Sequence, residues 1–89
     1  MVYRNYQDPL YKQFRKQVLI RDKYKCQWYG CNSSKRLNVH HIKTWADCPA
    51  LRFNTNNGIT LCRSHHDMIK GEEQIYESVF LKIAANNAK

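Results

Sequence analysis

Two short ligand-like steps, Cys26-x4-Cys31 and Cys62-x2-His65, lie thirty residues apart in a chain of 89. A chain of this length buries only a little over half of the surface that its unfolded form exposes. The core alone is therefore marginal, and a staple of disulfides or bound metal is expected. Four cysteines, Cys26, Cys31, Cys48 and Cys62, are available for either.

The spacing favours metal. Zinc accepts thiolate and imidazole donors in a tetrahedron, and short spacers let each pair close on one ion without strain. A structural Zn2+ held by Cys26, Cys31 and Cys62 is predicted, with His65 as fourth ligand and Cys48, which lacks a nearby partner, as its competitor. Two disulfides or four buried thiols are the alternative. The start, MVYRNYQDPL, carries charge and a proline where an export signal needs an apolar stretch. No apolar run approaches the ~20 residues that cross a bilayer. A soluble, cytoplasmic protein with no membrane partner is expected, a compartment where paired cysteines bind metal more often than they form disulfides.

The formal net charge of +8 is concentrated at the front, where Arg4, Lys12, Arg15, Lys16, Arg21, Lys23 and Lys25 are opposed by Asp8 and Asp22. That distribution suits a polyanion. Asp8-Pro9 opens a helix, because Asp accepts from unpaired N–H groups and Pro fits the first helical position. A basic helix over about 9–21 is predicted, with Leu10, Phe14 and Val18 on its apolar face beside Tyr11 and Leu19. YKCQWYGCNSSKR reads as a turn-rich knuckle, LNVHHI and GITLC as short strands, and RSHHDMIK as a short helix stopped by Gly71. Between the strands, Lys43 to Asn57 forms a long loop, of a length that usually has a functional reason. A closing helix over about 72–85 carries Ile75, Val79 and Ile83 at four-residue spacing. The whole chain, 1–89, is one α+β domain stabilised by zinc.

The four histidines come as two adjacent pairs, His40-His41 and His65-His66. If His65 faces zinc, His66 is turned by about 100° around the helix and is left for other work. His40 and His41 point to opposite sides on a strand, unless the strand ends there and aims both near one cleft.

LNVHHIKTW followed by FNTNNGITLCRSHHDMIKG resembles the HNH endonucleases, especially the small phage-type members. The resemblance covers roughly Val18 to Gly71. It implies a ββα-metal (HNH, treble-clef-like) core with a zinc knuckle over about 24–71, around one catalytic divalent cation. By position, His41 would be the general base and Asn57 would hold the loop around it. His40, standing where many relatives have aspartate, and His66 would bind the catalytic cation, which could be Mn2+, Ni2+, Co2+, Mg2+ or Zn2+. His41, Asn57, His66 and His40 thus form the implied catalytic set. Relatives often carry cysteine in place of His65, and another histidine where Ile69 and Lys70 stand.

What the resemblance implies is metal-dependent DNA nicking or cutting of low sequence specificity, leaving 5′-phosphate and 3′-hydroxyl ends, with no small-molecule cofactor. A role with phage terminase or head proteins, in an infected or prophage-bearing host cell, follows from the same likeness. Arg15, Lys16, Lys35, Arg36, Lys43 and Arg63 are candidates for DNA-backbone contact. The alternative is a non-catalytic zinc-knuckle nucleic-acid-binding module, which explains the charge and the cysteines but gives His40, His41 and His66 no reason.

Overall fold

A computed structural model describes residues 6–89; Arg4, counted above in the basic front, lies outside them. Among the described residues the chain forms three α-helices and one two-stranded sheet, in the order α1 (Pro9–Arg21), β1 (Leu37–His41), β2 (Gly58–Cys62), α2 (Arg63–Met68) and α3 (Glu73–Asn87). This is a small α+β architecture.

α1 starts where Asp8-Pro9 placed it, with the Leu10 amide donating to Asp8 Oδ1 at 2.9 Å. Its buried residues are Phe14, Val18 and Leu19, whereas Leu10, expected on the same face, is 55% exposed. The first turn packs instead through Tyr11, whose ring stacks on His41 and meets Trp45. β1 and β2 pair antiparallel, Leu37 opposite Cys62 and His41 opposite Gly58. Two strands alone are unstable in water, and here both faces are covered. Gly58 is required for one of these contacts, since a Cβ there would sit 2.8 Å from both Phe14 Cζ and Val18 Cγ2.

On the opposite face Ile59 and Leu61 join Cys26, Ile42, Cys62, Ile69, Phe80 and Ala84 in the main core. Fully burying each large apolar side chain contributes about 1.5–3 kcal/mol. α3 presents Phe80 and Ala84 inward and leaves Ile75 and Val79 exposed, so of the four-residue stripe that suggested this helix only Ile83 packs against the core. Aromatic packing selects the other face: Phe80 sits against Tyr76, Trp28 and His40 at once.

The β1–β2 connection is an irregular loop with two short 3-10 turns, Pro49–Leu51 and Thr55–Asn57. Among the described residues no helix is long and apolar enough to cross a membrane.

Candidate metal centre and histidine cleft

Four side chains from three places in the chain converge at the Cys62 end of the sheet. The knuckle supplies Cys26 and Cys31, with Cys26 N donating to Ser33 O and Cys31 N to Trp28 O. β2 supplies Cys62, and the first turn of α2 supplies His65. Their ligand atoms all lie within 4.8 Å of one another. Donors on a zinc tetrahedron are about 3.8 Å apart for two sulfurs and about 3.5 Å for sulfur and nitrogen. Here Cys31 Sγ and Cys62 Sγ are 3.9 Å apart, and His65 Nδ1 is 3.2 Å from Cys62 Sγ and 3.6 Å from Cys26 Sγ. This Cys3His group can hold a metal such as zinc.

Cys48, the competitor for the fourth place, is half-buried between the loop and the start of α3, beside Lys43 and Glu77, and is not in the cluster. The His65 ring is held flat against Trp28, with centroids 4.9 Å apart and planes 8° from parallel. Burial pushes the Cys26 thiol up to about 11. Burial also acts upward on Cys62, but hydrogen bonds from the His65 and Ser64 amides and the neighbouring thiols bring the net shift below the usual thiol value. Metal capture here therefore releases protons and weakens as pH falls.

The other three histidines meet at one cleft of about 160 Å³, lined by Val39, His40, His41, Thr44, Trp45 and His66. That is room for about five water-sized groups. His40 and His41 do face opposite sides of the sheet: His40 packs on Phe80 and His41 on Phe14, at 4.8 Å. Both still reach the cleft, because β1 ends at His41.

The roles of the nitrogens can be separated. His41 Nε2 lies 2.9 Å from Arg52 O, and a carbonyl can only accept, so Nε2 donates and Nδ1 is the basic nitrogen of the neutral ring. Trp45 stands at 90° to this ring. Its carbonyl accepts from Arg52 Nε at 2.7 Å, which fixes the loop that presents Arg52 O. His40 Nε2 is buried with no hydrogen-bond partner among the described residues. His66 lies across the cleft, its ring centroid 5.8 Å from that of His40. Two imidazoles sharing one ion at about 2.1 Å have centroids about 5 Å apart, a gap that small ring rotations close. A buried ring nitrogen without a partner among the described residues, with a second imidazole 5.8 Å away ring to ring, is a donor pair that could hold a cation.

Burial, and then the neighbouring His66, push His40 down to about 4. Burial, then Lys70, also lowers His66. Both rings are neutral near pH 7, the state that binds metal. The folded value of His40 lies below that of an unfolded histidine, so its contribution to stability is present above about pH 6.5 and lost as pH falls toward 4, roughly 3 kcal/mol in all. Denaturant unfolding at pH 7.5 and 4.5 should therefore show a smaller acid loss for His40→Gln than for the parent. Equal losses would mean that His40 is not held neutral.

Asn57 is 2% exposed and closes the base of the loop. Its Oδ1 accepts from Lys43 N at 2.8 Å and its Nδ2 donates to Lys43 O at 3.0 Å, a two-point clamp on the backbone just after His41. Of the six cations expected on a DNA backbone, Lys43 is paired with Glu77 at 2.7 Å and Arg63 with Asp67 at 3.0 Å; Arg15, Lys16, Lys35 and Arg36 are exposed. Sequence reasoning missed Trp28 and Arg52, whose contacts span the fold and leave no local pattern. Compared with protein-family models, curated proteins and solved structures, the chain matches none.

Proposed function

We propose that the protein is a divalent-ion-dependent DNA endonuclease of the HNH type, with a structural zinc held by Cys26, Cys31, Cys62 and His65. One observation carries the reading: three histidines outside the cysteine cluster converge on a single cleft, one with its tautomer fixed by a backbone carbonyl and another with a buried ring nitrogen that has no partner among the described residues.

A phosphodiester resists hydrolysis because water is a weak nucleophile and the phosphate repels anions. His41 answers the first difficulty by taking a proton at Nδ1 as water attacks phosphorus. The Nε2–H bond to Arg52 O strengthens as the ring becomes cationic. The water oxygen–phosphorus bond forms, the bond from phosphorus to the 3′ oxygen breaks, and the departing 3′ oxygen takes a proton from solvent water. His40 and His66 are the residues that would hold the cation, whose chemistry is to neutralise charge on the phosphate and the departing oxygen. Asn57 keeps His41 and the loop in register. Exposed Arg15, Lys16, Lys35 and Arg36 would hold the backbone without reading bases. A place beside terminase or head proteins is part of the same proposal and rests on the sequence likeness alone.

Supercoiled plasmid incubated with the protein and a panel of divalent ions tests this. Nicked or linear DNA should form only when an ion is supplied. Imidazole is a softer donor than carboxylate, so Mn2+, Co2+, Ni2+ or Zn2+ should outperform Mg2+, and His40→Asp should shift preference toward Mg2+. Tight binding without cleavage under any ion would favour the non-catalytic zinc-knuckle module.

A further inference from the structure

Arg21 and Asp22, at the end of α1, belong to neither centre described above, yet they form a dense polar hub. Arg21 Nη1 donates to Thr55 O at 2.7 Å and Nη2 to Gly58 O at 2.8 Å. The same guanidinium makes two 2.9 Å bonds to the Asp22 carboxylate. The Asp22 side chain is fully buried, and it also accepts from Thr60 N and from Asn87 Nδ2, both at 2.9 Å. Asn87 Nδ2 lies 2.9 Å from Gln27 Oε1 as well.

Thr55 and Gly58 bracket Asn57. We infer that Arg21 is a positioning residue for the histidine cleft: by gripping the carbonyls on both sides of Asn57, it fixes the amide that clamps Lys43 and thereby the exit of His41 from β1. The chain of contacts is continuous. Asn57 O accepts from Ile42 N at 2.9 Å, and the Asn57 side chain binds Lys43 N and O, so both residues after His41 are tied to the segment that Arg21 holds. Only a guanidinium serves here. Its planar fork spends one edge on the carboxylate and still points N–H groups at two carbonyls, while an ammonium is a compact point charge that cannot span all of them. Asp22 fixes the plane of the fork and ties it to β2 through Thr60 and to the end of α3 through Asn87. The effect on cleavage rests on the nuclease reading; the effect on the backbone after His41 does not.

The test is Arg21→Lys, read by native-state amide exchange, zinc content and plasmid cleavage. Protection at Ile42 and Lys43 should fall by about tenfold or more relative to Phe80 and Ala84 in α3, a local opening rather than a global one. Zinc content should stay at that of the parent. Cleavage should lose about tenfold or more in kcat with KM for plasmid unchanged, because the base is misplaced while the DNA surface is intact. Protection at Ile42 and Lys43 that is unchanged, or that falls in step with Phe80 and Ala84, would overturn the inference. If Arg21→Lys does not fold, Asn87→Ala, which removes one of the donors to Asp22, decides the matter by the same ratio, with a smaller selective loss expected and none overturning it. If the parent cleaves no DNA with any ion, the nuclease reading fails, and the exchange pattern still decides whether Arg21 sets the cleft.

Discussion

Replacing His41 with alanine is expected to slow ion-dependent nicking of supercoiled DNA by about 10²- to 10⁴-fold, the range usually contributed by a positioned general base. DNA affinity should persist, since none of the exposed cations along α1 or the knuckle is altered. The ring is 7% exposed and stacked on Phe14, so alanine also removes packing, and a slow variant could merely be a loosened one. His41→Phe separates the two effects. It keeps an aromatic ring in the Phe14–Trp45 sandwich and has no nitrogen to accept a proton. Both variants should be similarly inactive, with the phenylalanine form melting nearer the parent. Cleavage by His41→Phe within about tenfold of the parent would remove His41 from the role of base.

His65→Ala and His66→Ala should fail in different ways, although the residues are neighbours. His65 Nδ1 sits among the three sulfurs. Its loss opens the coordination shell of an ion whose binding energy is folding energy. Zinc content should drop, and a loss of about 3 kcal/mol would lower the melting temperature by about 12–24 °C in a domain of this size. His66 instead lines the cleft with His40 and is half-exposed. His66→Ala should keep the zinc content and melting temperature of the parent and lose ion-dependent cleavage. Zinc analysis, thermal melts and plasmid nicking on the two proteins give the answer, and the opposite pattern would mean that the two residues have exchanged roles.

The elements were readable because their signals are local. Asp8-Pro9 marks the start of α1, and Gly71, with φ +84°, follows α2. The two ligand steps also announced a cluster, because spacing along the chain limits which side chains can share an ion. What lay beyond the sequence was which face each helix buries. Ile75 and Val79 are as apolar as any core residue, yet α3 turns Phe80 and Ala84 inward, where Trp28 and His40 meet Phe80 and its helix neighbour Tyr76. Ion pairing was out of view for the same reason. Lys43 and Arg63, candidates for backbone contact, also pair with Glu77, thirty-four residues away from Lys43, and with Asp67, one helical turn from Arg63. The Arg21–Asp22 hub was invisible because its partners at Thr55, Gly58, Thr60 and Asn87 are 34 to 65 residues away.

The doubled histidines have an evolutionary consequence. In each pair the backbone step between neighbours, half a turn on β1 and about 100° on α2, is what sends one ring to each destination. Because the two codons of a pair encode the same residue, losing either one yields the same protein. Deletion at 40 or 41 draws Ile42 into the place of His41 and pulls Lys43 out of the register in which Asn57 clamps it, while deletion at 65 or 66 moves Asp67 into the place of His66. Each of two single-codon deletions therefore abolishes a destination that no point substitution at the surviving histidine could restore.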